Sequence, residues 1–470
     1  MPSRTGSLSY DAGAFDAPAR PHGGAPLNSN LVRDLGDGLT LRRPAPADVE
    51  RLVAFQATVH TGDGPADIGA RAGAWCRDLL TTPHPTLTLD DYVLVEDRAT
   101  GEIVSSLCII PQTWRYGSVE FGVGRPELVG TLPGYRRRGL VRAQMAEVHR
   151  RSAERGELVQ AISGIPYFYR QFGYEPALEL AVHRSGAAAD VPRLPDGAEE
   201  PYRVLPARVA DLPFIAKTAN EGASRWLVSC RRNPGELRYV LDGQAPESLM
   251  RTELAVITEP GGRRVGFVAH IGPLWDQSRR AIAYELATDQ PWWRVTPCVL
   301  RFLGHGGRAA TARPGEEPDR VALSLGTSHP AYATVRGALR HEDRGYSWFL
   351  RVPDLPAFLR RVAPTLEERL RGSAMVGYTG ELRLSFFRSG VRLAFEAGHV
   401  ATAEAWMPAR EDDGTAAFPD LTFLQLLFGY RSLDALRRAH ADCYLSNEDE
   451  APALMEALFP EQPSHLWPIA

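Results

Sequence analysis

Residues 128–151 read LVGTLPGYRRRGLVRAQMAEVHRR. Arg136, Arg137 and Arg138 run directly into Gly139, with an apolar stretch before them and a helix-like pattern after. A helix start leaves backbone N–H groups unpaired and carries a partial positive charge. Glycine at that point lets a ligand approach the backbone closely. Together these make an anion site suited to a pyrophosphate, and the arginines add long-range attraction and reach for a further phosphate. A solvated positive cluster is the competing reading, and the placement between a strand and a glycine-led helix disfavours it. Neither G-x-G-x-x-G spacing nor a G-x-x-x-x-G-K-[ST] motif is present, which disfavours a dinucleotide or nucleoside triphosphate loop.

The elements that must hold this loop are legible around it. Residues 91–97 and 102–110 read as a hairpin with Gly101 at its turn. Residues 127–131 form a strand ahead of the loop. Residues 139–155 form a helix with Val141, Met145 and Val148 on one face and Gly156 at its C-terminal cap. Residues 158–163 form the next strand. The fold class expected is α/β with a mixed sheet. FGVGRP (121–126) and LGHGG (303–307) read as glycine-containing turns with no ligand.

The chain has 470 residues, 44% of them hydrophobic and 23% charged, with a net charge of -4. That length suggests about three domains, and the charge points to neither nucleic acid nor an anionic membrane. Only Lys217 among the basic residues is a lysine. Cys76, Cys108, Cys230, Cys298 and Cys443 are odd in number and widely spaced. They argue against a disulfide framework or a structural zinc and fit a reducing compartment. The twelve histidines form no metal-binding spacing, so each reads as structural or exposed and no metal is expected. No apolar run is long enough to cross a membrane.

Residues 1–30 read as a disordered tail. Residues 183–201, HRSGAAADVPRLPDGAEEP, read as a linker, and a softer boundary falls at 351–358. Residues 39–55 and 202–218 open alike: a short strand, Pro-Ala, then Asp48 or Asp211 before a helix. This hints at a duplicated unit. In the second unit, 282–286, 292–303 and 321–325 read as strand, helix and strand. Residues 381–406 read as a three-stranded meander turning at Ser389-Gly390 and Gly398, with helices at 421–428 and 451–458, an α+β pattern.

Strand, R-x-x-G-x-[GA], helix resembles the acetyl-CoA signature of the GNAT acetyltransferase superfamily; Arg136 to Val141 fits it, with Val141 in place of a small residue. IPYFYRQFGYEPA (165–177) resembles that superfamily's F-Y-x-x-x-G-[FY] element through Phe168, Tyr169, Gly173 and Tyr174. RRRGLVR and FYRQFGY together are similar to the Eis-type (enhanced intracellular survival) acetyltransferases. That resemblance implies a catalytic GNAT unit over 31–190, a degenerate second GNAT unit over 200–350 and a sterol-carrier-like domain over 351–470.

It implies transfer of an acetyl group from acetyl-CoA, the co-substrate, to a small-molecule or peptide amine by direct attack in a ternary complex. Arg137, Arg138, Gly139, Leu140, Val141 and Arg142 would hold the pyrophosphate, and Val129 and Thr131 would offer their backbone to the pantetheine arm. Tyr169 would be the general acid that protonates the departing thiolate; Tyr167 and Tyr174 are its rivals. The terminal carboxylate of Ala470 would be a base. A homo-oligomer, hexameric in the family, and a cytoplasmic location are also implied. The alternative from another class is a non-catalytic acyl-CoA or lipid-binding module. The second unit lacks the R-x-x-G loop, and Pro291 has no N–H to contribute to a cradle.

Overall fold

The computed structural model describes residues 31–61, 67–180, 183–274, 277–306, 318–343, 345–409, 412, 414–446 and 449–470. The expected tail at 1–30 lies outside them. The first unit contributes strands β1 (Val32–Gly36), β2 (Leu39–Arg42), β3 (Tyr92–Asp97), β4 (Glu102–Tyr116), β5 (Val119–Thr131), β6 (Val159–Ile162) and β7 (Glu175–Leu180). Its helices are α1 (Val49–Val59), α2 (Ile68–Thr81) and α3 (Leu140–Glu154). The strands β8 (His183–Ala187), β9 (Arg203–Pro206), β10 (Val228–Cys230), β11 (Thr252–Thr258), β12 (Arg264–Ile271), β13 (Ser278–Leu286), β14 (Arg320–Leu323), β15 (His341–Asp343) and β16 (Tyr346–Arg351) follow, with α4 (Leu212–Gly222), α5 (Pro234–Asp242) and α6 (Trp292–Arg301).

One sheet runs β1-β2-β3-β4-β5-β6-β16-β7, with β10 added on β4, and a second runs β15-β8-β14-β13-β12-β11-β9. Read from β2 and from β9, the two sheets share one pattern. Neighbours are antiparallel except for a single parallel pair, β5/β6 in one and β13/β14 in the other. The sixth position of each is filled from the other unit. β16 lies between β6 and β7, while β8 lies between β14 and β15. Strands therefore cross the expected boundary at 190–200 in both directions.

The segment 183–201 begins as a strand and not as a linker. Gly186 makes that strand fit: a Cβ there would lie 1.9 Å from the Ala338 carbonyl oxygen. FGVGRP is likewise no turn but the middle of β5. A Cβ on Gly124 would meet Glu157 Oε2 at 2.5 Å and Ile109 Cδ1 at 2.6 Å, so that glycine serves close packing across the sheet. Residues 303–306 continue α6 as a π-helical turn, and Gly307 lies outside the described residues.

The matched openings form matched structures. Asp48 accepts the Ala45 N–H and Asp211 the Arg208 N–H, each at 2.8 Å, closing a short turn before α1 and α4. The apolar face of α3 packs as its periodicity demands: Met145 and Val148 are buried with Ile109, Ile162 and Tyr169, and Val141 is partly buried beside them.

The last part of the chain is α+β. Strands β17 (Gly380–Ser385), β18 (Gly390–Glu396) and β19 (His399–Trp406) make the expected meander, and β20 (Ala416–Ala417) and β21 (Tyr444–Leu445) extend the sheet. Helices α7 (Leu355–Arg371), α8 (Phe423–Leu427), α9 (Leu433–Ala439) and α10 (Ala451–Leu458) complete it. Its core is continuous with the β4–β5 hairpin through Trp114, Tyr116 and Phe121, and the Tyr116 hydroxyl donates to the Leu427 carbonyl at 2.6 Å. Among the described residues, no helix is long and apolar enough to cross a membrane.

Candidate active site

The site begins with two strands that part. β5 and β6 pair only at Val123–Val159 and Gly124–Gln160. Beyond Gly124, β5 runs on for seven residues without β6. A wedge opens between them, and a cleft of about 950 Å³ occupies it.

A β-bulge shapes one wall. Leu128 and Val129 together oppose Leu107, between the pairs Gly130–Ser106 and Glu127–Cys108. Leu128 takes a φ of 52°, a left-handed conformation that costs about 1–2 kcal/mol for a residue with a Cβ. Burial of its side chain, 3% exposed, offsets about that much. Gln56 on α1 also donates to the Leu128 carbonyl at 2.9 Å. Thr131 ends the strand, its hydroxyl 2.8 Å from that of Ser105.

The arginine loop closes one end. Gly139 is the N-cap of α3 with a φ of 77°, and a Cβ there would have nothing within 4 Å. The backbone at this point faces open space. The first intrahelical bond runs from the Ala143 N–H to the Gly139 carbonyl, so the N–H groups of Leu140, Val141 and Arg142 precede the ladder and are available to an anion. Arg142 donates to Gln171 at 2.7 Å and lies over the Phe172 ring, which ties the loop to the aromatic turn.

Val129, Thr131, Arg137, Gly139, Leu140, Val141, Arg142 and Tyr169 all line this one cleft. Arg138 does not: its guanidinium sits 5.3 Å from the Tyr135 ring centroid. Ala470 does not either. It is buried, and Gln244 Nε2 donates to its main-chain oxygen at 3.2 Å. It shares a hydrophobic cluster with Trp75, Leu128, Leu249 and Met250, four residues that do line the cleft.

Three tyrosines separate by environment. Tyr167 is 79% exposed and lies outside the lining. The Tyr174 hydroxyl is 2.7 Å from His149 Nε2, also away from the lining. Tyr169 is buried in the cleft wall, its ring near Phe168, Phe172 and Phe349. Burial, reinforced by the Glu127 charge, pushes its phenol well above the ordinary tyrosine value. It stays protonated at any physiological pH and has a proton to give.

His60, Trp75, Glu127, Ser163, Leu249 and Met250 also line the cleft, and the sequence reading assigned a role to none of them. Leu249 and Met250 come from the loop before β11, far along the chain; no local signal marks them. Among the described residues, no group of three or more His, Cys, Asp and Glu is placed to hold a metal ion.

The second sheet has the same wedge in a different state. β13 and β14 pair from Ser278–Arg320 to Ala281–Leu323. Beyond that point His465 Nε2 donates to the Ile282 carbonyl at 3.1 Å, and Trp467 stacks on Phe267 beneath Arg232. The space left is about 40 Å³. Helix α6 starts at Trp292 behind Pro291, whose φ is -81°, so no glycine-led loop stands there.

A mixed sheet with a splayed parallel pair, a bulged strand and a helix start facing the wedge together make up the site. Residues 40–177 match the family model of the acetyltransferase (GNAT) domain. Among solved structures, the chain is similar to a probable N-acyltransferase from Enterococcus faecalis, with a TM-score of 0.63 and 15% identity over 91% of this chain and 98% of that one. It is similar to a GCN5-related N-acetyltransferase from Kribbella flavida, with a TM-score of 0.58 and 17% identity over 92% and 98%. It is also similar to Eis1 from Mycobacterium abscessus, with a TM-score of 0.55 and 17% identity over 90% and 97%. No curated protein matches the chain.

Proposed function

We propose that the protein is an N-acetyltransferase that moves an acetyl group from acetyl-CoA to a primary amine by direct attack in a ternary complex. The observation that carries this reading is the convergence on one cleft of a bulged strand, a glycine-led helix start and a buried tyrosine. Acetyl-CoA supplies the acetyl group as a thioester. The N–H groups from Arg137 to Arg142 hold the pyrophosphate, with Arg138 adding its charge nearby. Val129 and Thr131 offer backbone to the pantetheine arm, and the bulge orients a donor toward the developing oxyanion. Tyr169 gives its proton to the departing sulfur.

In this reading the second unit is a degenerate copy of the first. Support comes from its matching strand order and from the wedge occupied by His465 and Trp467. The third is a sterol-carrier-like domain, and the protein is a cytoplasmic homo-oligomer, hexameric as in the resembling family. Isothermal titration with acetyl-CoA, followed by thiol release with an amine panel, tests the activity. Binding without turnover would favour a non-catalytic acyl-CoA-binding module instead.

A further inference from the structure

We propose that the second sheet carries an oxyanion site for a phosphorylated small molecule, separate from the cleft at Gly139 and independent of the acetyltransferase reading. The two sheets share a strand pattern, so their equivalent faces can be compared. In the first, the face turned away from α3 bears Val123, Val159 and Ala161 in one core with α7 residues. Phe121 meets Phe358 of that helix at 5.2 Å between ring centroids. In the second, Ala281, Val321 and Leu323 pack with Val295 and Val299 of α6. Alternation then turns Ser278, Arg280 and Arg320 to the opposite face.

Register brings four more residues to that face. Ser278 opposes Arg320, and Arg280 and Ser185 both oppose Ala322. His341 opposes Ser185, and Asp343 opposes His183. These residues line one recess of about 420 Å³, a volume suited to a small molecule. Where the first sheet is apolar and covered, the second is polar and hollow.

A solvated sheet face is the competing reading, and burial and pairing argue against it. Ser185 and Ser278 are 4% and 5% exposed. The Ser278 hydroxyl is buried with no hydrogen-bond partner, a costly state for a polar group. Arg320 donates to Ser185 Oγ at 2.8 Å and makes no ion pair among the described residues. The one carboxylate in the lining is Asp343, 2.7 Å from His183 Nε2 and 3.1 Å from His341 Nε2. Each of its oxygens is taken by an imidazole and neither by Arg320. Arg280 and Arg320 are diagonal neighbours, their Cα atoms about 8 Å apart at ordinary strand spacing. Guanidiniums at that separation can both reach one phosphate, each with paired N–H donors. Ser278 completes the corner, opposite Arg320 and two residues before Arg280. A change of rotamer aims its hydroxyl at the same anion.

Isothermal titration of ribose 5-phosphate into the whole chain saturated with coenzyme A tests the site. One molecule should bind per chain, with an affinity that falls as salt rises. Ribose, which lacks the anion, should give no heat. Arg280→Gln and Arg320→Gln should each weaken ribose 5-phosphate about 10-fold or more, and Ser278→Ala less. Acetyl-CoA affinity should stay unchanged in all three. Arg137→Glu, in the first cleft, should leave the ribose 5-phosphate affinity intact. A wild-type crystal soaked in ribose 5-phosphate should show its phosphate between Arg280 and Arg320, and this decides the matter if an arginine variant fails to fold. Absence of heat with ribose 5-phosphate, equal heat with ribose, full affinity in a folded Arg280→Gln/Arg320→Gln double variant, or phosphate density only at Gly139 would each overturn the site.

Discussion

Gly164 and Tyr169 are in such close contact that a Cβ on the glycine would lie 2.0 Å from Cδ2 of the ring. The tyrosine is seated by the absence of a side chain five residues before it. Phe349 on the exchanged strand β16 packs against the same ring, 6.4 Å between centroids. Gly164→Ala should push the phenol out of its seat. The expected outcome is a fall in kcat approaching that of Tyr169→Phe, with acetyl-CoA affinity held, read by steady-state kinetics beside titration calorimetry.

Tyr169→Phe removes the proton and keeps the packing. A positioned acid contributes about 10²- to 10⁴-fold, with the lower part of the range expected because a thiolate leaves readily. The loss belongs in kcat. Tyr167→Phe, at an exposed position, should be silent. Equal activity of Tyr169→Phe and wild type would remove the acid role.

The same tyrosine sets an alkaline expectation. Its folded-state pKa lies above the free value because burial disfavours the phenolate. The acid form is therefore present below that raised pKa and is lost only as pH climbs past it. A pH–rate profile should hold its plateau through pH 10; an alkaline limb near pH 8 that disappears in Tyr169→Phe would contradict this.

The arginines should differ in their effects. Arg137 lines the cleft, whereas Arg138 lies over Tyr135. Arg137→Glu puts a carboxylate beside the phosphates and should weaken acetyl-CoA about 10- to 100-fold. Arg138→Glu, set farther back, should weaken it less. The reverse order, by calorimetry, would mean that the loop binds phosphate through other groups.

One coenzyme A should bind per chain. The second wedge holds His465 and Trp467 with about 40 Å³ to spare. Trp467→Ala empties part of it and should lower Tm through a loss of about 3–5 kcal/mol. A binding stoichiometry of two in the unaltered protein would show that the tail leaves that wedge.

The sequence by itself determined the parts that depend on short-range chemistry. The α3 start at Gly139, its end at Gly156, the β3–β4 hairpin and the C-terminal meander all follow from caps, turns and periodicity within a few residues. The arginine–glycine loop was legible for the same reason, since a strand, loop and helix in order carry their geometry with them; Tyr169 was set apart from Tyr167 and Tyr174 only by the family resemblance. Only the tertiary structure decided which sheet β8 and β16 join, because a strand's partner depends on edges made elsewhere in the chain. His183–Ala187 accordingly read as a linker, and Gly122 and Gly124 as a turn. Nor could local pattern reveal that His60, Leu249 and Met250 reach the cleft, or that Gln56 holds the bulge. Those relationships arise where α1 packs across β5, a contact between segments about seventy residues apart whose register is set by side-chain fit and not by sequence spacing.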